Sequence, residues 1–243
     1  MNRRGVTLLE LLVAVSLLSL LTAGVLLALR LGFNAMHMTN DRLLDGRRVV
    51  SVQRILEQQI AGLMPVIADC LAAPNLPPAR MPFFQGAPQS MRFVSSYSLG
   101  EASRGYPRIL EFQVIPGEDH RGVRLVVNEH LYTGPRSAGL FCLGMLPDPA
   151  TGAVVPAFRP IQVGPESFVL ADKLAYCHFV YRETIQPPQL ERWTPVWIRA
   201  AWPSAVRIEM APLEMDRSRP PLLPITAPIR VTKAPFDSYA DNY

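Results

Sequence analysis

Between Arg4 and Arg30 the chain carries one ionisable residue, Glu10, in 25 positions. At 1.5 Å of rise per helical residue, such a run reaches about 37 Å and crosses a hydrocarbon core of about 30 Å with tilt. The pattern predicts a membrane-spanning helix over 6–29, with Arg3 and Arg4 before it and Arg30 after it. A secretory signal peptide would place small residues in an A-x-A-like pattern after the apolar region. Thr22-Ala23-Gly24 matches that pattern poorly, and the apolar run continues past it. The processing signal lies before the run instead, in a short basic leader, residues 1–5, that ends in Gly5.

Glu10 is the anomaly inside the run. A carboxylate at a helix centre in lipid costs about 2.5–3.5 kcal/mol on insertion scales, so an intramembrane acid is a functional hypothesis by default. The plainer reading places it near the interface, partly hydrated and favoured by the dipole at the helix N-terminus.

Gly5-Val6-Thr7-Leu8-Leu9-Glu10-Leu11-Leu12-Val13-Ala14 resembles the N-terminal motif of type IV pilins and type II secretion pseudopilins. The resemblance implies that a prepilin peptidase cuts between Gly5 and Val6 and that Val6 becomes the methylated N-terminus. It also implies that Glu10, fifth in the mature chain, pairs with the N-terminal ammonium of a neighbouring subunit. Val6 stands where the family usually has Phe. Pairing of this kind relieves two charges in lipid at once, and stranding one partner of a buried pair costs about 3–5 kcal/mol.

With 243 residues, one globular domain plus this anchor fits the length. The net charge is +4, Arg3 and Arg4 supply two of those charges, and no basic cluster is present to draw nucleic acid. The 24 prolines divide the chain, because the first is Pro65. A proline-free helical arm therefore precedes a turn-rich domain. Charge before the span and the leader motif favour a cytoplasmic N-terminus, with the domain in the periplasm of a bacterial envelope. That compartment is oxidising. Cys70, Cys142 and Cys177 then permit one disulfide by three pairings, with one thiol left over.

Beyond Arg30, Val49, Val52, Leu56, Ile60, Leu63 and Ile67 recur at helical spacing. An amphipathic arm over 30–64 is expected to continue the membrane helix and to end or kink at Pro65. Residues 65–89 carry six prolines and read as a connecting loop docked on the surface. Its Pro74 and Pro77 give only a chance-level proline-ligand match. Residues 90–243 read as a β-rich domain. Leu110, Phe112 and Val114 alternate with polar residues, Pro116–Asp119 supplies a turn, and Val123, Leu125 and Val127 complete a hairpin with one dry face. Val206, Ile208 and Met210, then Ile229 and Val231, repeat the alternation; Met91–Tyr97, Lys173–Arg182 and Trp193–Ala200 are weaker strands. The expected class is α+β, pilin-like: a long N-terminal helix, half membrane and half amphipathic, on an antiparallel sheet.

Tyr176-Cys177-His178-Phe179-Val180-Tyr181-Arg182, Trp193, Trp197, and Trp202-Pro203-Ser204-Ala205-Val206-Arg207-Ile208-Glu209 are similar to J-type minor pseudopilins, with Gln53-Arg54 in the arm. Trp202 stands where that group usually has Leu, and W-type minor pilins share part of the pattern. The J-type resemblance implies an inner-membrane protein that joins I- and K-type minor pseudopilins and the major pseudopilin. The complex sits at the tip of a type II secretion pseudopilus, primes its assembly and serves export of folded proteins. A minor pilin of a type IV pilus is the alternative. A membrane-anchored periplasmic binding module is the alternative of another class.

No enzyme is expected. No G-x-S-x-G, H-E-x-x-H or phosphate-loop motif occurs. His37, His120, His130 and His178 are scattered, with His178 on the sheet face opposite Cys177. Asp237 and Asp241 are two acids without a calcium-loop pattern, so neither metal nor cofactor is expected. Cys177, in phase with Phe179 and Tyr181, reads as a small core hydrophobe first and a disulfide partner second. Trp193, Trp197 and Trp202 serve either core packing or docking of a neighbouring subunit.

Overall fold

The structure is a computed structural model of the 243-residue chain. It describes residues 8–70, 79–100, 104–118, 121–148, 152–185, 190–214 and 224–230, the side chains of 32–50, 185 and 190 excepted. Helix α1, Leu8–Ala61, runs through a chain that divides into two units, 1–48 and 49–243.

In the second unit, Leu56 and Ile60 of α1 are buried, with Val52 half-buried beside them, which is the face expected from helical spacing. The helix stops at Ala61, three residues before the expected end. Gly62 approaches the next strand so closely that a Cβ there would collide with the Tyr97 ring and lie 2.9 Å from Ser95 Oγ. The carbonyl of Gly62 accepts from the Ser96 N–H at 2.8 Å, and strand β1, Leu63–Met64, pairs with Ser95 and Val94. Sheet hydrogen bonds thus replace helical ones before Pro65 is reached.

The segment expected as a loop, 65–89, holds three short strands: β2 (Ile67–Cys70), β3 (Ala79–Pro82) and β4 (Gln85–Ala87). Proline is compatible with them because β2 and β3 pair only with each other, and β4 is three residues long. Then follow β5 (Ser90–Tyr97), β6 (Arg104–Pro116), β7 (Val123–Leu131), a short helix α2 (Pro135–Gly139), β8 (Cys142–Pro147) and β9 (Val154–Phe158). The last strands are β10 (Phe168–Ile185), β11 (Leu190–Thr194), β12 (Ala205–Pro212) and β13 (Ile225–Pro228). The strand expected at Ile229 and Val231 is displaced to β13; Val231 lies outside the described residues.

The main sheet has the order β1-β5-β6-β7-β10-β12-β13, all antiparallel, with β4 on β5 and β11 on β10. The α+β expectation therefore holds: a long N-terminal apolar helix followed by a mostly antiparallel β domain. One sheet face, with Phe93, Leu110, Phe112, Phe179, Tyr181 and Ile208, shares a core with Leu56 and Ile60. Phe93 stacks on Phe112 at 5.7 Å between ring centroids. Gly86 admits the close approach of Trp197, since a Cβ on it would lie 2.7 Å from Trp197 Cβ and 2.8 Å from the Tyr181 ring.

The opposite face is the main departure from expectation. Alternation across Glu111 and Gln113 reads as a polar, wet face, yet Val94 and Ile109 lie there in a second core with Ala68, Cys70, Met81, Phe83 and Cys142. A further layer, the β2-β3 and β8-β9 pairs with α2, covers the sheet. Arg92 is 1% exposed and Glu111 4%, and they form an ion pair. Arg92 donates from Nε to Glu111 at 2.7 Å, from Nη1 to Gln85 at 2.7 Å and to the Phe141 carbonyl at 3.2 Å, and from Nη2 to the Arg159 carbonyl at 3.0 Å. Its guanidinium also lies 5.6 Å from the ring centroids of both Phe141 and Phe158. Asn128 and His130 contact the second Glu111 oxygen at 3.1 and 3.2 Å. Burial pulls the Arg92 guanidinium below its ordinary pKa, and Glu111 offsets part of that.

Removing one partner strands the other charge in the interior. Arg92→Met is expected to lower unfolding stability by about 3–5 kcal/mol, and Glu111→Met added to it should recover a large part. Chemical denaturation of the full chain in detergent checks this. An equal loss in the double variant would mean that the pair contributes only through packing.

Candidate membrane anchor and assembly site

Leu8–Leu31 is a 24-residue stretch of α1 with mean hydropathy 2.5, long and apolar enough to cross a membrane. Its leucines and valines are exposed around the helix, from Leu8 and Leu9 to Leu29 and Leu31. A helix apolar on every side finds its favourable surroundings in lipid or against other helices. Its hydroxyls are compatible with that setting. Ser16 donates to the Val13 carbonyl at 2.9 Å, Ser19 to Val15 at 2.7 Å and Thr22 to Leu18 at 3.0 Å. Each bond stays inside the helix, so these side chains bring no unsatisfied donor into hydrocarbon.

Glu10 stands in the first turn of α1 and is exposed. A negative charge near the N-terminal end of a helix is favoured by the helix dipole. Gly5 and Val6, the expected cleavage and methylation residues, lie outside the described residues.

The cysteine expectation left three pairings open, and the structure forms Cys70–Cys142, with Cα atoms 5.4 Å apart. The bond joins β2 to β8, both within the layer that covers the sheet. Cys177 is a buried free thiol in the helix-side core. Of the three tryptophans, Trp197 is buried, and its Nε1 donates to the Ala201 carbonyl at 2.7 Å. Trp202 packs on the same core, while Trp193 lies 4.1 Å beneath the Arg207 guanidinium. Core packing thus accounts for Trp197 and much of Trp202.

His178 is exposed and stacks on Tyr176 at 5.4 Å, on the face opposite Cys177. His130 joins Glu111. His120, the His37 side chain, Asp237 and Asp241 lie outside the described residues. Among the described residues, no three His, Cys, Asp or Glu side chains gather to hold a metal ion. The Arg92–Glu111 pair went unforeseen, because the two residues face each other only through the β5–β6 register.

A family model of the prokaryotic N-terminal methylation motif matches residues 1–26. No curated protein matches the chain. The motif together with the apolar helix supports a type IV pilin-like protein, and it implies processing by a prepilin peptidase and membrane association.

Cys177 allows a test of the domain. Burial pushes its thiol up to about 12, against roughly 8.5 for a free thiol. The native state therefore keeps a proton that the unfolded chain loses above about pH 8.5, so stability falls as pH rises from there through about 12. Burial raises Tyr181 as well, which adds to the fall at higher pH. Denaturation midpoints at about pH 8 and about pH 10 should show a loss of about 2 kcal/mol that Cys177→Ala makes smaller. An unchanged slope in that variant would refute the assignment.

Proposed function

We propose that this chain is a minor pseudopilin of a type II protein secretion system, an assembly subunit without catalysis of its own. It is made as a precursor with a cytoplasmic N-terminus, cut by a prepilin peptidase between Gly5 and Val6, methylated at Val6, and held in the inner membrane by its apolar helix. The β domain lies in the periplasm. At the pseudopilus tip it joins I- and K-type minor subunits above the major pseudopilin.

Glu10 carries the reading. It is the single ionisable residue between Arg4 and Arg30, it sits in the first helical turn, and it falls inside the matched motif. A carboxylate in lipid is retained where it has a partner. Cleavage after Gly5 creates one, an ammonium four residues away in sequence, which a neighbour can present at matching depth. Such a pair neutralises both charges and sets the axial stagger between subunits. The tryptophan-bearing segment around β10 to β12 favours a J-type subunit. The N-terminal motif is shared with minor pilins of type IV pili, and that is the second reading.

Intact mass and N-terminal sequencing of the chain expressed with and without a prepilin peptidase test the claim. Peptidase-dependent loss of residues 1–5 is expected, and an uncut N-terminus or a cut near Ala23 would remove its basis. Separately, Glu10→Leu should insert in the membrane as well as the native chain but fall out of sheared filaments. Undiminished incorporation of that variant would favour an anchored binding module.

A further inference from the structure

We propose that the rim of the β domain around Glu183, Arg192, Arg199 and Trp202 is a docking site for a carboxylate on a neighbouring polypeptide subunit. The identity of the partner rests on the filament reading above; the chemistry of the site does not.

The inward-facing row of β10, Cys177, Phe179 and Tyr181, ends in an acid. Glu183 is the next residue in phase and is 3% exposed. Arg199 Nη2 meets its Oε1, and Arg192, opposite it across the β10–β11 pair, meets Oε2 at 3.3 Å. Both arginines are exposed, with 59% and 67% of their side chains open to solvent. One carboxylate cannot neutralise two guanidinium groups. The neighbouring pair Arg182–Glu191 is matched one to one at 3.1 Å, and Arg124 has two acids, Asp172 and Glu118. Among the described residues, surplus positive charge therefore remains at this rim.

A cavity of about 240 Å³ opens beside Glu183, lined in part by Trp197, Arg199, Trp202 and Ser204. Glu183 itself lines it, with Oε1 held by Arg199 as an ion pair but accepting no hydrogen bond among the described residues, and Thr184 adds a hydroxyl. Trp197 donates to Ala201, and Ser204 Oγ both accepts from Arg182 Nε and donates to the Arg182 carbonyl. Trp202 Nε1 is buried and has no acceptor among the described residues. An indole nitrogen and guanidinium groups only donate, so with two arginines to one carboxylate these groups favour an acceptor that carries negative charge. On the loop that holds Arg199, Val196 and Ile198 are exposed large apolar side chains. A guest that fits both features is an Asp or Glu flanked by aliphatic side chains, as a polypeptide segment supplies. Tryptophan and arginine around a cavity are also the residue types that dominate protein interfaces.

The test uses the full chain in detergent micelles and two probes, acetyl-Leu-Glu-Leu-amide and acetyl-Leu-Gln-Leu-amide. The readout is the indole N–H resonance of Trp202, identified by its loss in Trp202→Phe. The acidic peptide is expected to shift that resonance, bind about tenfold more tightly than its amide twin, and lose about tenfold in Arg199→Gln. Glu183→Gln releases both arginines and should bind the acidic peptide more tightly, an outcome that a poorly folded variant cannot mimic. Equal binding of the two peptides, an unmoved Trp202 resonance, or weaker binding in Glu183→Gln would overturn the proposal. So would binding that appears only after deletion of residues 231–243, because the site would then serve the chain's own following segment. A chain that no prepilin peptidase cuts but that binds the acidic peptide would overturn the filament reading alone.

Discussion

The domain depends on burying both faces of one sheet, and Arg92 is where that requirement is met with a charge. A guanidinium at 1% exposure is stable only if its donors all find acceptors. Here they come from Glu111, Gln85 and the carbonyls of Phe141 and Arg159. The two carbonyls flank the β8–β9 pair, so the same hydrogen bonds that satisfy Arg92 hold the outer layer on the sheet. The Cys70–Cys142 bond then joins the strands of that layer to one another. Helix α1 closes the other face with Leu56 and Ile60.

The same rule about polar groups governs the apolar half of the helix, with a different solvent. Ser16, Ser19 and Thr22 turn their hydroxyls back onto helical carbonyls, and the remaining surface is hydrocarbon. Glu10 is the one acid of the span, and a carboxylate is satisfied by donors or a cation rather than by carbonyls. Under the filament reading proposed above, the new ammonium of a neighbouring subunit near this depth sets the stacking. On the domain rim a buried acid, Glu183, is answered twice, by Arg192 and Arg199.

Legibility varied with the range of the interactions involved. The apolar run, the helical face of Leu56 and Ile60, and the alternation in β6, β7 and β12 are local patterns, and they appear where periodicity puts them. Helix α1 ends before Pro65 because Gly62 gives way to β1 through contacts with Ser95 and Tyr97, more than thirty residues on. Pro65 marked a true boundary but not its cause. The strands between 65 and 89 were hidden by proline density, since short paired strands tolerate proline where long central ones do not.

What the sequence determined by itself is the anchor, its single acid, the motif over residues 1–26 and the α+β class. Each is written in consecutive residues or in a period of two or three and a half, so no fold is needed to read it. Only the tertiary structure decided that Cys70 pairs with Cys142, that Arg92 meets Glu111, and that two arginines converge on Glu183 beside Trp202. Those pairings depend on strand register and on which layer covers which face. Register is a global outcome of packing, and a shift of one residue would have turned the strand residues among them, such as Arg92, Glu111 and Glu183, to the other face.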